Sequence, residues 1–252
     1  MKKNRETGNV KNAANFEDLI SFCEGYKTAY QPSNAQFELT ALQTLLLEAR
    51  TKMDELNTAI TDFNNATNER AILFQPLRKL STRIVNALEV SGATALTVAN
   101  AKAILRKIQG RRAPTHIHLL VQEPVAEGTP QPVPTSKEIS AAQTGYDNQT
   151  EHLARLISTL HAEPLYTPNE TELTPTKLSA MLTAIKAANT AVIAKATALS
   201  NARIARNKIM YDSDTGIHHI ALEIKKYIKS VFGTNSPEYR QVSRIKFTRA
   251  RF

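Results

Sequence analysis

Apolar side chains return along this chain every three or four residues, in stretches separated by proline, glycine and polar turns. That period lines up one face of a helix, whereas alternation in twos would mark strands. Phe16, Leu19, Ile20 and Cys23 form the first such face, on a helix predicted at 15–28. Gln31-Pro32-Ser33-Asn34 ends it, because proline disfavours the helical region for its predecessor. A long helix is predicted at 36–73, where Leu42, Ala49, Leu56 and Phe63 fall seven apart beside Leu45, Leu46, Met53 and Ile60. Pro76 suits the start of a helix at 77–91, and Gly92 reads as its left-handed stop. A helix at 95–109 follows, with Val98, Leu105 and Ile108 inward.

The same pattern then returns, on helices predicted at 146–162, 174–211, 216–231 and 237–246. Leu153, Leu156, Ile157 and Leu160 repeat the first face, and Tyr166 with Pro168 repeats Tyr30 with Pro32. Leu178, Met181, Leu182, Ile185, Val192 and Leu199 repeat the long stripe from Leu42 to Phe63. After an insertion of four residues, Ile217, Ile220, Ile224 and Ile228 repeat Leu77, Leu80, Ile84 and Leu88. The expected fold is all-α: two similar four-helix units from an internal duplication, packed as a pseudo-twofold helical bundle with the long helices central. The boundaries that follow are a basic mobile tail at 1–14, a first helical repeat at 15–110, a Pro-rich linker at 111–145 and a second helical repeat at 146–252. His116 and His118 alternate on an extended stretch of that linker. Asp214 or Thr215 is expected to cap the helix at 216–231, and Ser236-Pro237 supplies a cap and a proline for the last one. The second long helix is alanine-rich between Ala184 and Ala205, so the two long helices are expected to pack along that face.

The segments Leu165-Tyr166-Thr167-Pro168-Asn169-Glu170 and Leu199-Ser200-Asn201-Ala202-Arg203, with the run from Lys225 to Gly233, bring the layout close to a known group. Over nearly its whole length the chain resembles tandem-duplicated helical proteins of unknown function predicted in Bacteroidota. The resemblance implies a duplicated all-α fold and no site residues.

Composition narrows the chemistry. Glycine is scarce at 8 residues and tryptophan is absent, which suits helices better than glycine-rich nucleotide loops. One cysteine, Cys23, excludes an internal disulfide and any zinc site needing two thiolates from one chain. It stands in register with Leu160, so a core role is expected. The N-terminal MKKNRETGNVKN is basic with no apolar stretch behind it, unlike a secretory signal, and no apolar run is long enough to span a membrane. A cytoplasmic protein is expected.

Charge is uneven. Residues 16–75 sum to −5 and 146–216 to zero. Residues 76–112 reach +7, with Arg78, Lys79, Arg83, Lys102, Arg106, Lys107, Arg111 and Arg112 against Glu89. Residues 217–252 reach +6, with Lys225, Lys226, Lys229, Arg240, Arg244, Lys246, Arg249 and Arg251 against Glu223 and Glu238. Both helix pairs have the outline of a helix-turn-helix, in which these side chains would meet phosphates of DNA or RNA. Phe247 and Phe252 could stack on bases or pack the tail down. The plainer reading is that these are the solvated faces of amphipathic helices, with Lys225, Lys226 and Lys229 pointing outward.

Asn65 and Arg70 recur as Asn201 and Arg206. Two such arginines could form an anion site, but polar ties that set helix register explain them better. Asp212, Asp214, His218, His219 and Glu223 suggest a metal loop, yet Gly216 and Ile217 stand where a calcium loop wants an oxygen ligand and a glycine. No catalytic residues, no metal and no cofactor are assigned, since no nucleophile elbow, P-loop, dinucleotide fingerprint or HExxH is present. The expectation is a non-enzymatic scaffold or protein-interaction protein, self-assembly included, with no membrane partner. A nucleic-acid-binding protein using two symmetric basic helix pairs is the alternative, and a metal-binding protein or enzyme the third.

Overall fold

The computed structural model describes residues 7–111 and 144–249. Among them every regular element is helical. In chain order these are α1 (Thr7–Gly25), α2 (Leu39–Phe74), α3 (Leu77–Val90), α4 (Ala95–Gln109), α5 (Tyr146–His161), α6 (Pro175–Tyr211), α7 (Ile217–Phe232) and α8 (Pro237–Ser243). Short 3₁₀ turns precede the two long helices, at Ala35–Phe37 and Thr171–Leu173.

The punctuation works as its chemistry dictates. Gly92, Gly110 and Gly233 all have positive φ and follow the ends of α3, α4 and α7, where a side chain would be strained. Thr94 caps α4 and Ser236 caps α8, each hydroxyl accepting an N–H three residues on. The expected cap of α7 is different. Gly216, not Asp214 or Thr215, stands at its N-cap, and Asp212 instead ties the turn by accepting from the N–H groups of Asp214 and Thr215 and from the Thr215 hydroxyl. That turn is so tight that a Cβ at Gly216 would lie 2.5 Å from the Asp212 nitrogen.

Two compact units make up the chain, and neither is a sequence repeat. Unit 1 joins Met1–Asn65 to Ala194–Phe252, and unit 2 is Ala66–Ile193. Both boundaries fall inside the long helices α2 and α6. A helix of 36 residues is about 54 Å long, more than one small core can cover, so its two ends serve different cores. The expected blocks 15–110 and 146–252 therefore divide helices that pack together.

In unit 1 the α1 face of Phe16, Leu19, Ile20 and Cys23 meets Leu42, Leu46 and Ala49 of α2, with Ile217, Ile220, Ile224 and Ile228 of α7. In unit 2 the α3 residues Leu77, Ile84 and Leu88 share a core with Val98 and Ile108 of α4, Leu153, Leu156 and Leu160 of α5, and Leu178 and Ile185 of α6. The helix faces are those the periodicity marks.

Three expectations need correcting. The tail expected at 1–14 is helical from Thr7, since Asn9 and Asn12 are buried on α1. The Tyr211 hydroxyl donates to Asn9 at 2.5 Å, and the Asn12 amide both donates to the Thr248 carbonyl and accepts from its N–H. The last helix stops at Ser243 rather than 246, and the residues beyond it are tied to α1 through these bonds and that of Asn15 to the Lys246 carbonyl. Finally, the alanine face of α6 is not packed: Ala184, Ala187, Ala191, Ala194 and Ala198 are exposed, while Val192 and Leu199 are buried.

Candidate interaction surfaces

In unit 2, α3 and α4 form a hairpin. The Gln109 side chain donates to the Thr82 hydroxyl at 2.8 Å, and that hydroxyl in turn donates to the Arg78 carbonyl. The C-terminal turn of α4, with Arg106 and Lys107, is thereby brought to the N-terminal turns of α3, with Arg78 and Lys79. Two other cations of the hairpin are neutralised: Arg83 pairs with Glu172 at 2.7 Å and Lys102 with Glu89 at 2.6 Å. The Glu172 carboxyl is held below its ordinary range by Arg83. Arg78, Lys79, Arg106 and Lys107 take part in none of the ion pairs among the described residues. Arg111 is exposed beside them, and Arg112, His116 and His118 lie outside the described residues.

The basic surplus of α7 and α8 is used differently. Lys225 does not point outward as expected. Its ammonium donates to the Ile245 carbonyl and lies 5.2 Å from the Phe247 ring, and burial pulls its pKa down. Phe247 packs against the unit 1 core, which answers its two readings in favour of holding the tail down. Phe252 and Arg251 lie outside the described residues. Lys226 pairs with Glu223 at 2.6 Å, and the Lys229 ammonium lies 5.8 Å from the Tyr239 ring. Arg240 and Arg244 are exposed on or just after α8. Lys226 and Lys229 stay exposed despite these contacts, so of the marked basic residues in this half they, Arg240 and Arg244 keep a solvent-facing placement, together with Lys246 and Arg249 of the tail.

The polar pairs separate. Asn65 and Asn201 are exposed, while their arginines turn inward. The Arg70 guanidinium lies 4.0 Å from the centre of the Tyr146 ring, itself edge-on to Phe74. Arg206 is buried and donates twice to the Asn207 side chain, at 3.2 and 2.8 Å. Each arginine thus serves packing within its own unit. In the loop before α7, Asp212 is committed to the backbone and Glu223 to Lys226, which holds the Glu223 carboxyl below its ordinary range. Among the described residues no group of three or more His, Cys, Asp or Glu side chains is arranged to hold a metal. Cys23 is buried, and burial pushes its thiol up to about 12, so it is a core side chain and a poor nucleophile at neutral pH.

One surface carries no sequence motif. A cleft of about 490 Å³ in unit 2 lies between the end of α3 and the segment before α6, lined by Arg83, Ala87, Val90, Leu165, Tyr166 and Thr167 among others. A signal for it does exist in the chain: Ala87 is in register with Tyr227, a large loss of volume at matched positions.

What fold and surfaces define is an all-α helical protein, none of whose described helices is long and apolar enough to cross a membrane. No protein-family model, no curated protein and no solved structure matches the chain.

Proposed function

We propose that the protein is a non-enzymatic cytoplasmic scaffold, built from two duplicated helical units, whose helical faces bind another protein or a second copy of the chain. The observation that carries this reading lies on α6. Within unit 2, Ala180, Ala184, Ala187 and Ala191 are exposed along one side of that helix. The same register of α2 in unit 1 holds Thr44, Glu48, Thr51 and Glu55, also exposed. Leu42 and Leu178 fill their respective cores alike, so core packing does not ask for alanine on the outer side of α6. A contiguous apolar strip among polar residues suits cover by a partner, and small side chains let a partner helix approach closely. Light scattering over a concentration series tests it. Growth in mass that Ala187→Glu with Ala191→Glu abolishes supports self-association. A monomeric mass throughout, with no co-purifying protein lost in the same double variant, overturns the scaffold reading.

A second reading has its own observation, the concentration at one end of the α3–α4 hairpin of Arg78, Lys79, Arg106 and Lys107, none of them ion-paired among the described residues. Such a cluster suits phosphates, so the alternative is a nucleic-acid binder whose affinity falls steeply with salt. A gel shift with duplex DNA and with RNA over a salt series tests it, and absence of a shift at low salt removes it.

A further inference from the structure

The segments before the two long helices are built alike. In unit 1 the buried Tyr30 hydroxyl donates to the Phe37 carbonyl at 2.7 Å, closing the chain around the turn at Ala35–Phe37. In unit 2 the buried Tyr166 hydroxyl donates to the Leu173 carbonyl at 2.9 Å, around the turn at Thr171–Leu173. A helix packs against each device: α7 in unit 1 and α3 in unit 2. Their registers are pinned by fully buried residues, Ile224 and Ile228 on α7, Ile84 and Leu88 on α3.

What differs is the residue three positions after the isoleucine. On α7 it is Tyr227, whose ring stands edge-on to Tyr30 with centroids 5.4 Å apart and planes at 87°. Its hydroxyl accepts the N–H of Gln31, the residue after Tyr30, at 3.2 Å. On α3 it is Ala87, and the 490 Å³ cleft lies there, lined by Ala87, Tyr166 and Thr167, the residue after Tyr166. The Thr167 N–H bonds back to the Leu165 carbonyl at 3.1 Å, a three-residue closure that an incoming oxygen can replace. At the mouth, Val90 is 85% and Leu165 54% exposed.

We propose that this cleft is a docking site for a tyrosine side chain presented by a partner protein, held as unit 1 holds its own Tyr227. The ring lies edge-on to Tyr166 and between Val90 and Leu165, and the phenol oxygen takes the Thr167 N–H. Charge at the rim selects the form of the ring. Arg83 is already neutralised by Glu172 at 2.7 Å, and Glu170 adds a second carboxylate. A neutral phenol is therefore accepted and a phosphorylated one repelled. The site stands apart from the α6 strip, and either can fail without the other.

Amide chemical shifts of the full chain, titrated with N-acetyl-tyrosinamide, test the assignment. Shifts confined to Ala87, Val90 and Thr167 are expected, with N-acetyl-leucinamide and the phosphotyrosine analogue weaker by about tenfold or more. Ala87→Tyr fills the cleft from within and should abolish the shifts while the fold persists. Tyr227→Ala opens the equivalent space in unit 1 and should add a second set of shifts at Gln31. Equal response to the tyrosine and leucine probes, shifts that survive Ala87→Tyr, or no response at Thr167 at any probe concentration would overturn the proposal.

Discussion

The Tyr166 hydroxyl reaches the Leu173 carbonyl seven residues ahead at 2.9 Å, as Tyr30 reaches Phe37 in the other unit. Both hydroxyls are buried and their pKa values are raised by burial, that of Tyr166 to about 12. Phenylalanine at either site strands a carbonyl that its turn cannot satisfy otherwise. Each Tyr→Phe variant should lose about 1–2 kcal/mol in urea unfolding. An unchanged midpoint for both would show that these bonds are dispensable.

Gly216 is held by sterics rather than by an unusual φ, which is −72°. A methyl group there runs into the Asp212 backbone on two sides, at 2.5 and 2.7 Å. Gly216→Ala should cost about 1–3 kcal/mol, as overpacking does, whereas Gly8→Ala on α1, with open space around it, should be close to neutral.

His152 is buried on α5, and its pKa lies below the ordinary 6.5 through burial first, then Lys107 and Arg155. The folded state keeps the ring neutral while the unfolded chain takes up a proton below 6.5. Its stabilising contribution is thus complete above that value and is lost as pH falls through the folded pKa. His218 on α7 behaves the same way, through burial, Arg249 and His219. Urea midpoints measured between about pH 8 and about pH 5 should fall less for His152→Leu than for the parent. An equal fall would rule out this histidine as a source of the pH dependence.

Basic residues divide into two kinds with opposite expected effects. Replacing Arg106 and Lys107 with glutamate should leave the helical circular dichroism unchanged and weaken any DNA or RNA shift. The salt slope should drop by about 0.9 for each phosphate that is no longer neutralised. Lys225→Met should do the reverse, changing stability and leaving polyanion binding alone, because its ammonium is bound to the Ile245 carbonyl.

Each unit draws on both halves of the chain, so neither half alone holds a complete core. Residues 1–111 and 144–252, produced separately, should each be poorly folded, and mixing them should restore helicity and a sharp unfolding transition. Two fragments that fold cooperatively on their own would contradict the packing of α1 against α7.

Element by element, the helices were legible to within a few residues at most ends because a buried face imposes its period directly on the sequence. The exceptions have local causes that periodicity does not encode. Asn9 and Asn12 read as polar tail residues until Tyr211 and the Thr248 backbone give them partners. Lys225 read as a solvated lysine because a cation has no apolar period, yet its stem and head fit against Phe247 and a free carbonyl. The cleft at Ala87 left only a faint trace, an alanine in register with a tyrosine, and its meaning depends on what Tyr227 touches.

From the sequence alone came which face of each helix must leave water, because burial of Phe16, Leu42, Ile84, Leu153 or Ile224 is a local demand repeated every three or four residues. Only the tertiary structure decided which helix answers each face. An apolar stripe specifies that it be covered and not by whom, since the hydrophobic effect has no direction. Hence α1 meets α7 rather than only its own half of the chain, and the two long helices each serve two cores.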